Sequence, residues 1–378
     1  MMKKLLLFAA IAAMAIGASA EGYTIEKVWE VDATTIFEFP TDVRQGFGMN
    51  GKFYINDKAN EVVYVIENPS IGDVNDDSSI NISDVTALID HLLSSEAGNI
   101  NPTNADMNGD NAVNISDVTK LIDRLLMGPQ ITTLPGGANC GITRDEAGNI
   151  IVSTATFPGV WAFDATLKVI NPVTGEVKEH LIPEECAVLG RCDFISFAKG
   201  NLMEDGEIFI TGATQETQIS RIVVADGEVI PDDSYYMNCD GVLTSPQTLL
   251  NYYIDLNGEE AVLYVTRNAP LKKMLFDGDN FTGSTVALPG KGACNGTFPF
   301  VWDGKELFVY PITPNYQNGF AVAEAGAEAP IVEVPSSVSA NPNGFQANWL
   351  NAEVDEDGVT IYQYAPGGNI TVWRLTKE

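Results

Sequence analysis

Five residues with side-chain oxygens, Asp73, Asn75, Asp77, Asn81 and Asp84, recur 33 residues later as Asp106, Asn108, Asp110, Asn114 and Asp117. Each set occupies positions 1, 3, 5, 9 and 12 of a 12-residue loop. A hard divalent cation wants about six to eight oxygens at roughly 2.3–2.6 Å, and a loop of this length wraps them around it, with a backbone carbonyl at position 7. The carbonyls of Ser79 and Ala112 stand at that position. The spacing therefore predicts two calcium sites, each closed by a bidentate carboxylate, Asp84 in one and Asp117 in the other. Ile80 and Val113 fall at position 8, where an apolar side chain ties a loop to a core. Position 6, which favours a positive φ, holds Ser78 in the first loop and Asn111 in the second. Asn tolerates the left-handed conformation and Ser costs of order 1 kcal/mol there, so the first site is expected to be the weaker.

Two helices must position these loops. Val85, Leu88, Ile89, Leu92 and Leu93 recur as Val118, Leu121, Ile122, Leu125 and Leu126, at the spacing of one apolar helix face. A doubled ligand loop with a matched helix resembles a type I dockerin, the calcium-dependent module that plugs secreted enzymes into cohesin-bearing scaffolds. The resemblance covers residues 70–128. It implies two bound calcium ions and a cohesin-type partner. It also implies that positions 10 and 11 of each loop, Ile82 with Ser83 and Ile115 with Ser116, face that partner. Their near-identity would let either half present the same surface. Such modules usually stand at a chain end, and this one is internal.

The chain begins with Lys3 and Lys4, an apolar run from Leu5 to Ile16, and Ala18-Ser19-Ala20. This reads as a secretory signal, residues 1–20, cleaved after Ala20, with the mature protein secreted, periplasmic or at the cell surface. No other stretch approaches the ~18 apolar residues that a membrane-spanning helix needs, so no membrane insertion is expected. With 51 Asp and Glu against 21 Lys and Arg, the net charge is −30. That argues against nucleic acid and anionic membranes as partners, because both need a basic face. The hydrophobic content of 45% is that of a folded globular protein. Five cysteines are an odd number in a long chain, not a disulfide framework, and at least one thiol is left over. Only His91 and His180 are present, which leaves almost no room for histidine-based metal sites.

Outside the repeat, residues 21–69 and 129–378 read as β structure. Turn pairs precede β-branched and aromatic runs at Asn50-Gly51, Gly148-Asn149, Asp205-Gly206, Asn257-Gly258, Asp303-Gly304 and Asp357-Gly358. From Gly148 onward these turns lie 58, 52, 46 and 54 residues apart. Four strands per period of about 50 residues is the pattern of a propeller blade. The reading is a mainly β, six-bladed β-propeller-like domain with a small α-helical dockerin inserted in it; a pair of β-sandwiches is the other arrangement that this strand content allows. Tyr23 to Val31 is a spare strand that would complete the last blade and leave no open edge. Val62 to Glu67 and Ile131 to Leu134 read as the third and fourth strands of the first blade, so the module would replace a hairpin turn.

Polar residues cluster where innermost strands should begin: Arg44, Asn139, Arg191, Asp193, Asp240, Asn295 and Gln346. With Phe298, Trp302 and Trp349 nearby they would suit sugar hydroxyls and a stacking ring. Catalytic sequence signatures are lacking: no G-x-S-x-G, H-E-x-x-H or G-x-x-x-x-G-K. A glycosidase needs only two placed carboxylates, and 51 acidic residues give no way to choose them. The leading expectation is a secreted binding subunit that recognises a glycan or protein and is recruited to a cohesin-type partner in polysaccharide degradation. The other two are a polysaccharide hydrolase or lyase on the propeller, and a calcium-stapled structural insert without a cohesin partner.

Overall fold

The computed structural model describes residues 18–20, 22–32, 43–57, 60–77, 79–94, 100–108, 112–127, 132–137, 141–154, 165–183, 186, 194–211, 218–238, 249–255, 261–266, 271–276, 281–291, 296–312, 319–335, 349–364 and 369–378. The chain is mainly β, with six antiparallel sheets in sequence order. The first is Val43–Met49, Lys52–Asp57, Val62–Ile66 and Thr132–Pro135. The second is Ile142–Arg144, Ile150–Thr154, Thr166–Ile170 and Val177–Leu181. The third is built on Phe194–Ile195, Gly206–Thr211 and Gln218–Ala225, with short pieces at its edges, and the fourth is Leu249–Asp255, Ala261–Thr266, Lys272–Phe276 and Phe281–Thr285. The fifth is Phe298–Trp302, Lys305–Pro311, Phe320–Glu324 and Val332–Val334, extended by Ala18–Ser19. The sixth is Trp349–Asp355, Gly358–Tyr364 and Asn369–Lys377, completed by Tyr23–Asp32.

The N-terminal strand thus pairs with the C-terminal one, Tyr23 opposite Lys377 and Asp32 opposite Asn369, as the spare strand was expected to do. Two of the expected turns form as two-residue hairpins among the described residues. Asn50-Gly51 (φ 52° and 73°) and Asp303-Gly304 (φ 53° and 71°) have the paired positive φ of tight hairpins. Two differ. Gly200 pairs with Gly206, so Asp205-Gly206 closes a five-residue loop, and Asp355 pairs with Gly358, so the turn residues there are Glu356 and Asp357. Gly358 instead serves close packing: a Cβ on it would meet the Leu375 carbonyl oxygen at 2.3 Å. The turn at Asn257-Gly258 lies outside the described residues.

Alternation along each strand decides how the sheets stack. Phe53 and Ile55 pack with Tyr362, Tyr364 and Ile370 of the sixth sheet, while Tyr54 between them packs with Ile150 and Val152 of the second. Ile151, Leu167 and Val169 of the second sheet then meet Ile208, Ile210 and Ile222 of the third. Phe308 and Tyr310 of the fifth meet Leu271 and Val286 beside the fourth, and Leu307 and Val309 meet Ile361 and Trp373 of the sixth. Sheets buried on both faces need apolar residues at successive positions, each worth ~1.5–3 kcal/mol of burial, which is why these strands read as continuous apolar runs. The first strands of consecutive sheets also lie side by side, and Trp349–Asp355 lies beside Val43–Met49. There the buried Asn351 amide bridges the sheets, accepting from Gly48 N at 2.8 Å and donating to Gly48 O at 2.7 Å.

Between Val62–Ile66 and Thr132–Pro135, which pair directly, the chain leaves the first sheet and returns through a helical insert. The insert contains α1 (Ile82–Leu93), α2 (Pro102–Ala105) and α3 (Ile115–Met127). Among the described residues no helix is long and apolar enough to cross a membrane.

Candidate calcium loops and docking face

Asn81 and Asp84 start α1 as a capping box: Ser83 N donates to Asn81 Oδ1 (2.8 Å) and Asn81 N donates to Asp84 Oδ2 (2.8 Å). The repeat does the same in α3, with Ser116 N to Asn114 Oδ1 and Asn114 N to Asp117 Oδ2, each 2.8 Å. The same carboxylates reach back to the start of their loops. Asp84 Oδ1 accepts from Val74 N (2.7 Å) and Asn75 N (3.2 Å), and Asp117 Oδ1 accepts from Met107 N (2.8 Å) and Asn108 N (3.3 Å). Positions 9 and 12 thus set the helix start and close the loop at once.

Asp84 and Asp117 are fully buried, and among the described residues no Lys or Arg pairs with either. Backbone N–H groups satisfy part of each carboxylate, but a buried anion without a counter-charge is costly. A bound cation removes that cost, so the donor chemistry fits calcium. Asp73 is also buried; its Oδ1 accepts from Asp77 N at 3.0 Å, and Asp77 Oδ1 accepts from Ser79 N at 2.9 Å. Asp106, Asn108, Ala112 and Asn114 hold the matching places in the second loop, where Asn114 Nδ2 donates to Ala112 O at 3.1 Å. Among the described residues no three His, Cys, Asp or Glu side chains converge by themselves, so amide and carbonyl oxygens are essential to the donor set. Asp110 and both position-6 residues, Ser78 and Asn111, lie outside the described residues.

The first loop has a further brace. Asp76, at position 4 of the first, has a positive φ of 56°. Its carboxylate accepts from Asn101 Nδ2 (2.9 Å) and Asn104 Nδ2 (3.3 Å), and Asn104 Nδ2 also donates to Asp73 O (3.0 Å). Asn101 caps α2, so this short helix is a strut under the first loop. Sequence reading missed it, because a four-residue helix leaves no periodicity to find.

The helices meet through Val85, Leu88, Val118 and Leu121, joined by Val74 and Ala105, with Ile80 and Val113 packed against them as position 8 suggested. One expectation needs correcting. Ile89 and Leu93 do not face this core: Leu93 is 81% exposed and its counterpart Leu126 80%, with Ile89 and Ile122 also exposed. Two helices cover only half of each other's apolar stripe, and the uncovered edge runs on from Ile82 and Ile115, which are 70% and 71% exposed. Ser83 and Ser116 stand beside them and bond to ligand-loop amides, Asn75 Nδ2 to Ser83 Oγ at 2.9 Å and Asn108 Nδ2 to Ser116 Oγ at 2.8 Å. The insert is tied to the first sheet by Arg124, whose Nη2 donates to Pro69 O at 2.8 Å; burial lowers its pKa against the pull of Glu67.

The expected polar cluster at the starts of the first strands falls almost wholly outside the described residues. Asn139, Arg191, Asp193, Asp240, Asn295 and Gln346 lie outside the described residues, and only the backbone of Arg44 is described. Of the expected stacking rings, Phe298 packs edge-on against Phe47 (6.5 Å), Trp302 against Tyr23 (6.0 Å), and Trp349 against the cluster of Phe53 and Tyr364. Cys186 is buried.

A search of curated proteins finds no match to the chain. Solved structures resemble it distantly. They include a protein of unknown function from Dyadobacter fermentans DSM 18053 (11% identity, 94% of this chain and 99% of that one, TM-score 0.46). Two others are the RS223 beta-xylosidase (11%, 60% and 87%, TM-score 0.36) and a GH43_1 enzyme from Xanthomonas citri complexed with xylose (6%, 61% and 83%, TM-score 0.36). At these scores none bears on what the chain does. The insert is different: residues 71–126 match the family model of the dockerin type I domain, and this segment of the chain is a type I dockerin.

Proposed function

We propose that this protein is a secreted, non-catalytic subunit that its dockerin recruits, in calcium, to a cohesin-type partner in a polysaccharide-degrading assembly. Its body is a six-bladed β-propeller that binds a glycan or protein. Two calcium ions are held by Asp73, Asn75, Asp77, Ser79, Asn81 and Asp84, and by Asp106, Asn108, Asp110, Ala112, Asn114 and Asp117. When bound, calcium supplies the positive charge that two buried carboxylates lack. The residues themselves fix the helix starts and, through Asn75 with Ser83 and Asn108 with Ser116, link loop geometry to the docking face. The propeller is supported by the side-by-side order of the first strands and by the pairing of the chain ends in one sheet.

The observation that carries the docking half is the matched exposure of Ile82 with Ile115 and Leu93 with Leu126 on the two repeated helices. A purely structural insert would turn this stripe toward the sheets. The test is binding of a recombinant type I cohesin from the producing organism, by calorimetry in calcium and in EDTA. Tight binding abolished by EDTA is expected; binding to no cohesin of that organism in calcium would refute the docking role.

A further inference from the structure

A cleft of ≈ 580 Å³ opens where the first strands end, the opposite strand ends from the expected polar cluster. Its floor is a polar group assembled from three sheets. Glu353 Oε2 accepts from Asn50 N (2.8 Å) and from the Tyr362 hydroxyl (2.7 Å), which in turn accepts from Gly51 N (2.7 Å). Gly48 makes room for this arrangement, since a Cβ there would lie 1.9 Å from the Tyr362 ring. Arg144 faces Glu353 from the second sheet, its guanidinium stacked on Phe197 with Cζ 4.9 Å from the ring centre. Nη2 stops 3.8 Å from Glu353 Oε1, too far for a hydrogen bond, and the buried Nε has no acceptor among the described residues. A guanidinium held in place by stacking, with Nη2 short of hydrogen-bond reach of Glu353 and Nε without an acceptor among the described residues, is preorganised for a further polar partner.

We propose that this cleft binds a neutral, hydroxyl-rich ligand, a saccharide unit, with Arg144 donating to one ring hydroxyl and Glu353 accepting from a neighbouring one. The charges select this class. An anion that suits Arg144 meets Glu353 and Asp355, and the chain's net charge of −30 opposes it further. A cation that suits Glu353 meets Arg144, and Asp355 is already engaged by Arg374, which donates Nη1 to its Oδ2 at 2.7 Å. A hydroxyl both accepts and donates, so it satisfies either partner without a charge penalty. Phe300, Val301 and Val354 add apolar wall for the C–H face of a sugar, and the volume is usual for small-ligand sites. The inference names a ligand class and a place for the ligand-binding half of the function above and does not depend on the docking half.

The test is saturation-transfer NMR and calorimetry with β-1,4-linked xylotriose, mannotriose and cellotriose, and with trigalacturonate as the charged comparison. The full mature protein is compared with Arg144→Ala, Glu353→Gln and Val301→Trp, the last filling the cleft from an exposed rim position without touching the polar floor. At least one neutral trisaccharide is expected to bind, with affinity falling tenfold or more in all three variants while amide-exchange protection across Ile150–Thr154 and Lys305–Pro311 persists as the sign of an intact body. If neutral sugar binding survives in the three variants but is lost in Arg191→Ala or Asp240→Ala, the site lies at the other strand ends, and only this inference fails. Binding of trigalacturonate alone overturns the charge argument. No binding of any probe overturns the inference and removes support for the glycan-binding half of the function as well.

Discussion

The dockerin and the six-sheet body hold themselves together by opposite means. The insert closes around two wholly buried carboxylates, Asp84 and Asp117, over a core little larger than Val74, Val85, Leu88, Ala105, Val118 and Leu121. The body buries both faces of its sheets, with Phe53, Phe308, Tyr310, Tyr362 and Tyr364 each at 2% exposure or less. Small cores give little margin over chain entropy, and buried anions subtract from it. The module's fold is thus tied to its ions, while the platform that carries it is not. In the function proposed above, the docking device then responds to calcium without loosening the body.

Chelation breaks this comparison most directly. With EDTA, amide-exchange protection across α1 and α3 should fall by orders of magnitude, while Ile150–Thr154 and Lys305–Pro311 keep theirs. For scale, one site at a hundred times its Kd adds about 2.7 kcal/mol. Uniform loss of protection, or none, would show that the two regions are not separately stabilised. Next come single side chains. Leu88→Ala or Leu121→Ala should cost ~2–5 kcal/mol and unfold the insert at calcium levels where the parent holds, as read by exchange in α1 and α3. Leu93→Ala and Leu126→Ala, on the exposed stripe, should leave stability within ~0.5 kcal/mol yet weaken cohesin binding when combined.

The body has its own, milder sensitivity. His180 is buried with Nε2 donating to Leu202 O at 2.7 Å, and burial lowers its pKa from the ordinary 6.5. The unfolded chain therefore takes up this proton first as pH falls. Stability from the neutral ring is complete above about 6.5 and is lost progressively below it. Denaturant midpoints of the body should drop from pH 7 to pH 5, and His180→Gln should flatten that slope. The smallest effect concerns the strut. Asn101→Ala removes a helix cap and a bond to Asp76, about 1 kcal/mol together, so the first calcium site should weaken about fivefold while the second keeps its affinity. That experiment also weighs the strut against the expected penalty of Ser78.

The two regions were unequally legible. Calcium chemistry fixes oxygen donors at set positions of a loop, so a 33-residue repeat announces them. Turn pairs such as Asn50-Gly51 announce hairpins because few other residues accept paired positive φ. The spare strand at Tyr23 was legible from counting strands. Amphipathic spacing, by contrast, reports that Ile89 and Leu93 are apolar but not that a two-helix module leaves that edge uncovered. The cleft at Arg144 and Glu353 was illegible, because it joins residues more than 200 positions apart that meet only when the sheets stack.

The most direct test of the central claim is a calcium titration by calorimetry on the full mature protein and on the Asp84→Ala, Asp117→Ala double variant. The account predicts two ions bound by the parent, none by the variant, and cohesin binding that follows the same difference. Calcium binding undiminished in the variant, or none in the parent, would contradict it.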